Sequence, residues 1–147
     1  MQINQLSVFL ENRRGGLTAP CAALAEAGIN ILTLTLADTE RFGILRLIVR
    51  DQEKAKSILE SRGFVVKLTE VLAIEVEHQP GGLGKLLVIL ETAGVNIEYM
   101  YAFAVRDAGK AVMIFRFSDT QKAIQALADA GISVLKGVDL YERSARA

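Results

Sequence analysis

Two glycine-containing loops carry the residue types that could bind a small charged molecule. The first loop comprises Asn12, Arg13, Arg14, Gly15, Gly16 and Leu17, and the second comprises His78, Gln79, Pro80, Gly81, Gly82 and Leu83. A Gly-Gly pair has no Cβ atoms, so a ligand can approach its backbone N–H groups. If a helix follows, these groups lie at its positive end and suit a carboxylate. The alternative is that the glycines only permit a tight strand-to-helix turn.

Asn30 and Asn96 are further candidate ligand contacts, and each follows its Gly-Gly pair at the same distance along the chain. An amide both donates and accepts, so it can serve the two charges of a zwitterion. An asparagine that opens a strand can equally bond its own backbone. Arg13 and Arg14 could attract an anion. Taken one at a time, each arginine is better explained as a solvated surface charge.

Metal binding and catalysis have little support in the residue types. The chain holds one Cys and one His, so it cannot form an internal disulfide or a Cys- or His-based metal cluster. His78 is therefore predicted to be a loop residue. We find no Ser–His, Cys–His or paired-carboxylate set, and expect no enzyme activity, cofactor or metal.

Composition restricts the class of protein further. The 147 residues contain 17 Lys+Arg and 17 Asp+Glu, with a pI near 6.6, so no basic field exists to hold nucleic acid. The N-terminus has no signal-peptide pattern, and no apolar run is long enough to span a membrane. These features predict a cytoplasmic protein. Its 51% hydrophobic content and mean hydropathy of +0.30 are high, which points to buried interfaces.

The two loops belong to an internal repeat. Residues 11–32 and 77–98 share nine identities over 22 positions at an offset of 66. Residues 51–66 and 119–134 match at an offset of 68. The chain therefore consists of one structural unit written twice, with predicted boundaries at 1–69 and 70–147.

Each repeat reads as strand, helix, strand, strand, helix, strand. The first strand is Leu6–Leu10 or Leu72–Val76, the second is Asn30–Ala37 or Asn96–Val105, the third is Gly43–Val49 or Ala111–Phe117, and the fourth is Val65–Leu68 or Ser133–Leu135. Apolar residues at helical spacing follow each Gly-Gly pair. This order predicts an α+β fold of two tandem ferredoxin-like βαββαβ units, with antiparallel sheets, helices on one face and the units side by side.

Single residues mark the ends of these helices. Gly28 and Gly94 are placed to end the first helix of each repeat, and Asp51 and Asp119 are placed to cap the second. Pro20 is tolerated only in a first helical turn, so the first helix of repeat one should start one or two residues later than its counterpart.

Strands two and three of the first repeat are apolar on both faces. A ferredoxin-like sheet needs one apolar face for its helices, so the second face calls for a further partner. We therefore expect at least a dimer.

The loops and the asparagines together resemble the signature of the ACT domain, a family of small regulatory modules. The matching segments are E-N-R-x-G-G-L with G-I-N-I in repeat one, and H-Q-P-G-G-L with G-V-N-I in repeat two. The stretch ADTERFGILRLIV is similar to that of stand-alone paired ACT proteins. The resemblance covers nearly the whole chain.

The resemblance implies a small ligand, often an amino acid, between two ACT units. It implies contacts from Asn12 to Leu17 with Asn30, and from His78 to Leu83 with Asn96, the asparagine coming from the neighbouring unit. Arg14 departs from the family's usual proline, which Pro80 keeps. The two sites are therefore not expected to be equivalent.

The resulting hypothesis is a non-catalytic sensor or regulatory protein that binds an amino acid and acts on a metabolic enzyme. The alternative is an oligomerisation scaffold, or a regulatory subunit without a ligand of its own.

Overall fold

The computed structural model describes residues 2–107 and 109–146, with the side chains of all of these except 104–107 and 146. The chain divides into two compact units. The first unit is Asn4–Thr69, and the second unit is Met1–Ile3 with Glu70–Ala147.

The first unit consists of a sheet of neighbouring strands and two helices. Its elements are β1 (Ile3–Glu11), α1 (Thr18–Glu26), β2 (Thr33–Asp38), β3 (Phe42–Ile48), α2 (Gln52–Ser61) and the start of β4 (Val65–Glu77). β1 and β2 both pair antiparallel with β3, and β4 lies beside β1. The order β2-β3-β1-β4 is that of a ferredoxin-like unit.

The second unit repeats this arrangement and adds a helix. It contains α3 (Gly82–Thr92), β5 (Ile97–Asp107), β6 (Lys110–Phe117), α4 (Thr120–Asp129), β7 (Val134–Leu135) and α5 (Gly137–Arg146). β4 pairs antiparallel with β6 and β7, and β6 pairs with β5. The predicted fold class of two βαββαβ units with antiparallel sheets is confirmed.

Each unit has its own apolar core between its sheet and its helices. The first core is made by Leu6, Val8, Leu10, Ala23, Leu24, Leu45, Leu47, Val49, Ala55 and Leu59. The second is made by Leu72, Ile74, Val76, Leu86, Leu90, Val95, Phe115, Phe117, Ala123 and Leu127. Alternate residues of the strands supply one side of each core, because successive residues of a strand point to opposite faces, and the inward faces of the two helices supply the other.

The residues predicted to end and cap the helices act as expected. The Asp51 and Asp119 side chains each accept a backbone N–H three residues on, at 3.0 Å. Gly28 has φ of 71°, and the next N–H bonds back to Leu24 O at 2.9 Å, which closes a Schellman motif. With Pro20 in its first turn, α1 starts at Thr18, two positions later than α3 at the repeat offset.

Several elements differ from the sequence-based expectation, and β1 runs from Ile3 to Glu11 instead of from Leu6 to Leu10. β2 begins at Thr33 rather than at Asn30, because residues 29–32 cross from α1 to the sheet and cover the core before regular pairing starts. The strands predicted at Val65–Leu68 and Leu72–Val76 form one unbroken strand, β4. Helix α5 was not predicted, and it buries Leu140 completely.

Candidate ligand-binding site

The two Gly-Gly loops fold in the same way. After β1, the N–H of Gly16 donates to Arg13 O at 3.0 Å, and Gly15 has a φ of 79°. After the equivalent part of β4, the N–H of Gly82 donates to Gln79 O at 3.0 Å, and Gly81 has a φ of 83°. The repeat therefore preserves a backbone conformation as well as a sequence motif.

Turn geometry alone accounts for both glycines of each pair. The first glycine adopts a left-handed φ that other residues rarely tolerate. At the second, a Cβ would lie 2.6 Å from Glu11 O in the case of Gly16, and would overlap Glu77 O in the case of Gly82. Any evidence for a ligand must therefore come from the side chains around the loops.

A cleft of about 450 Å³ opens beside the first loop, and we call it the first cleft. It lies between the loop that follows β1 and the loop that precedes β4. Its lining residues are Phe9, Leu10, Glu11, Arg13, Gly15, Gly16, Ala19, Arg62, Gly63, Phe64 and Val65. Arg13 forms an ion pair with Glu11 at 3.1 Å, and Arg62 forms one with Glu26 at 2.5 Å. The four side chains are half or more exposed.

The second unit has a smaller cleft at the equivalent place, the second cleft, of about 220 Å³. It is lined by Glu75, Val76, Glu77, Gly82, Lys85, Leu86, Ile89 and Ile132. At the repeat offset, Lys85 stands where the first cleft has Ala19, and Glu75 stands where it has Phe9. The smaller cleft is thus the one with the longer side chain on its helix.

Glu75 is held in a charge network at this second cleft. Its two oxygens meet Arg143 of α5 at 2.6 Å and Lys110 of β6 at 3.3 Å, and its side chain is 11% exposed. Partial burial by itself would raise the pKa of Glu75. The hydrogen bonds and charges of Arg143 and Lys110 outweigh burial, and the pKa lies below its ordinary value of 4.5.

The Glu75 network should make the stability of the second unit depend on pH in the acid range. Since the pKa of Glu75 is lower in the folded than in the unfolded state, the network stabilises the fold above pH 4.5, and this contribution disappears as the pH falls below it. We expect Glu75→Gln to flatten that part of the profile, measured by denaturant unfolding between pH 7 and pH 3. An unchanged slope in the variant would contradict the assignment.

Asn30 and Asn96 lie away from the Gly-Gly loops of their own units. Both are exposed, and each borders another depression, of about 240 Å³ at Asn30 and 400 Å³ at Asn96. Helix α1 has nine residues and separates the two places by roughly 13 Å, at 1.5 Å per residue. Neither asparagine reaches the loop of its own unit.

The remaining predicted residues fall into two groups. Arg13, Gly15 and Gly16 line the first cleft, whereas Gly82 alone of its loop lines the second. The others lie beside these clefts or in the turns: Asn12 (amide to Thr39 O and Glu40 O), Arg14, Leu17 (the residue before α1), His78, Gln79 (amide to Glu77), Pro80, Gly81 and Leu83 (against the second core).

Sequence reasoning missed Arg62, Phe64 and Val65, which form the far wall of the first cleft. Arg62 and Phe64 come from the loop between α2 and β4, and Val65 is the first residue of β4. The predicted topology places this loop next to the one after β1, because strands one and four are neighbours and antiparallel. The topology was therefore the signal that could have found them.

The described residues contain neither a cluster of metal ligands nor a membrane-spanning helix. No group of three or more His, Cys, Asp or Glu side chains among them could hold a metal ion. Within the same residues, every helix is too short or too polar to cross a bilayer.

The fold and the paired loops define a protein made of two ACT-like units. A family model described as "ACT domain pair" matches residues 1–143, so the chain belongs to the ACT domain pair family. The resemblance found in the sequence is confirmed.

Comparison with solved structures gives relatives over nearly the whole chain. A protein from Bacteroides thetaiotaomicron is 41% identical, with 96% of each chain covered and a TM-score of 0.89. The ligand-free regulatory subunit of aspartate kinase from Thermus thermophilus is 17% identical, with 88% of this chain and 93% of that chain covered and a TM-score of 0.61. The corresponding subunit from Thermus flavus is 18% identical, covering 87% and 93%, with a TM-score of 0.56. The two subunits share the fold. No curated protein matches the chain.

Proposed function

We propose that this protein is a non-catalytic regulatory module that binds a free amino acid at a Gly-Gly loop. The observation that carries the proposal is the first cleft, whose volume of about 450 Å³ falls within the usual 300–1,000 Å³ of small-molecule sites. Membership of the ACT domain pair family supports a regulatory role. We propose a metabolic enzyme as the partner, because two proteins of this fold are regulatory subunits of aspartate kinase. The proposed location is the cytoplasm.

A free amino acid should raise the melting temperature of the protein. A ligand at about 100 times its dissociation constant adds roughly 2.7 kcal/mol, which corresponds to about 5–10 °C for a chain of this size. The measurement is a thermal-shift screen of the twenty amino acids. The matched controls are the amines that lack the carboxylate, which should give no shift. If none of the twenty raises the melting temperature, the proposed function is wrong.

The asparagines provide a second arm of that screen. Asn30→Ala and Asn96→Ala remove exposed amides, so the ligand-free melting temperature should stay the same. If one amide bonds the ligand from outside the unit that holds the loop, its loss should weaken binding by about 1–3 kcal/mol. Unchanged binding in both variants would remove the asparagines from the proposed site and leave the loops in it.

Oligomerisation without a ligand is the second function that a specific observation favours. The first unit exposes Phe9, Leu34, Leu36 and Phe42, each between 44% and 61%. Leu34 and Leu36 lie on β2, which ends the strand order and, among the residues that the structure describes, pairs with β3 alone. An apolar edge strand is a surface on which a second copy can pair.

Leu36→Lys should convert a dimer into a monomer. The lysine replaces an apolar contact on the edge strand with a charge, and charged edge residues oppose strand pairing. Sedimentation velocity at micromolar concentrations is the measurement. Val88→Lys is the matched control, since Val88 is 60% exposed on α3 and its change should leave the mass unaltered. Association that survives Leu36→Lys would place the interface elsewhere.

A further inference from the structure

We propose, on the basis of the function proposed above, that the first cleft alone takes the ligand and that the ligand is an α-amino acid with an apolar side chain. Four differences between the first and second clefts support this assignment: an ion pair, an apolar wall, the space available, and the exposure of the charges.

The first difference is the Arg13–Glu11 ion pair at the mouth of the first cleft. Arg13 Nε lies 3.1 Å from Glu11 Oε2. A guanidinium beside a carboxylate matches the two charges of an amino acid, since the former donates to the ligand carboxylate and the latter accepts from its ammonium group. The pair uses Nε, and a guanidinium has five donor hydrogens, so the terminal nitrogens can turn to a ligand.

The second cleft lacks the cation of this pair. Gln79 occupies the place of Arg13, and its amide donates to Glu77 Oε2 at 2.7 Å. Glu77 could accept from an ammonium group, but a neutral amide holds a carboxylate much less strongly than a guanidinium. The second loop therefore offers a carboxylate without a guanidinium beside it, and the cation of this cleft is Lys85 on α3.

The second difference is the wall that a ligand side chain would meet. Phe9, Phe64 and Val65 line the first cleft, and Phe9 and Val65 are 47% and 66% exposed. Covering exposed apolar surface is favourable, so an apolar ligand side chain gains from this wall. In the second unit, Glu75 replaces Phe9 at the repeat offset of 66, and Ser133 replaces Val65 at the repeat offset of 68.

The third difference is space. The first cleft measures about 450 Å³ and the second about 220 Å³, which falls below the usual range for small-molecule sites. Ala19 leaves the first cleft open at the start of α1, and Lys85 occupies the corresponding place on α3. One side chain on the helix therefore controls the room for a ligand.

The fourth difference is how easily the charged groups can change partners. The side chains of Arg13 and Glu11 are 73% and 68% exposed, and exposed ion pairs of this kind contribute little to stability. Glu75 of the second cleft is 11% exposed and already meets Arg143 and Lys110. The ion pair of the first cleft can therefore change partners, whereas Glu75 is already held, and the exposed charges of the second cleft are Glu77 and Lys85.

Ala19→Lys tests the assignment, because it copies the second cleft into the first. The matched control is Ala22→Lys, which adds the same charged side chain to an exposed position of α1 outside the cleft lining. Titration calorimetry with leucine, methionine and phenylalanine, and with aspartate and lysine for comparison, measures affinity and stoichiometry. Circular dichroism confirms that both variants keep the fold.

We expect one binding event per chain and a preference for the apolar amino acids. Ala19→Lys should lower the affinity about tenfold or more, and so should Arg13→Gln, which installs the residue of the second loop. Ala22→Lys and Lys85→Ala should change it by no more than about twofold.

Three outcomes would overturn the assignment while leaving the proposed function intact. They are full affinity in Ala19→Lys, two equivalent sites per chain, or tighter binding of aspartate or lysine than of the apolar amino acids. If no amino acid binds the unaltered protein, the proposed function and this inference fail together.

Discussion

Gly82→Ala should destabilise the second unit by about 3 kcal/mol. The added Cβ would overlap the carbonyl oxygen of Glu77, and a backbone atom cannot rotate away as the end of a flexible side chain can. Glu77 is also fixed by its pairing with Lys110 at the end of β4. Relief of the overlap therefore requires the loop to open or the strand end to unpair. Denaturant unfolding followed by circular dichroism measures the loss.

Gly84→Ala is the matched control two residues further along α3. A Cβ at Gly84 meets nothing within 4 Å, and alanine favours a helix over glycine by up to about 1 kcal/mol. This variant should therefore be as stable as the unaltered protein or more stable. A similar loss in both variants would show that the crowded turn is not the cause.

The second large effect is expected at the centre of the second core. Phe115 is fully buried on β6 and stacks on Phe117 with ring centroids 5.6 Å apart. Phe115→Ala removes the ring and leaves a cavity, which costs about 3–5 kcal/mol in well-packed cores. We expect denaturant unfolding to show a loss of that size in the free energy of unfolding, without a change in the far-ultraviolet spectrum of the folded state.

Val88→Ala is the control for the loss of an apolar side chain as such. Val88 is 60% exposed on α3, so its truncation should change the free energy of unfolding by less than about 0.5 kcal/mol. Equal losses at Phe115 and Val88 would contradict the position of the core.

The parts of the fold that short-range physics controls could be predicted from the sequence. Asp51 and Asp119 cap helices because a carboxylate accepts a backbone N–H three residues on, whatever the rest of the chain does. Gly28 ends α1 because a left-handed residue is needed there. Each of these positions also has a counterpart of the same residue type in the other repeat.

The parts that depend on distant residues could not be predicted. The start of β2 at Thr33 depends on how residues 29–32 pack over the core, which the alternation in the sequence does not reveal. Helix α5 carries Leu140 at a buried place and Arg143 against Glu75, but it has no counterpart in the first repeat. The repeat therefore gave no reason to look for it.

The candidate site, like the fold, could be predicted from the sequence only in part. The Gly-Gly loops were found in the sequence, yet their glycines are explained by the turn. The side chains that distinguish the two clefts come from positions far apart in the chain, such as Arg13 and Val65. Their proximity follows from the topology, and the larger first cleft has Ala19 where the smaller second cleft has Lys85.

The edge strand β2 has a consequence for handling the protein. Its sequence, TLTLAD, contains neither lysine nor proline, the residues with which many proteins protect a sheet edge. With Leu34 and Leu36 exposed, a chain without a partner offers a template for aggregation. Leu36→Lys would remove that template along with the contact, so its monomer should remain in solution where an unaltered monomer would precipitate.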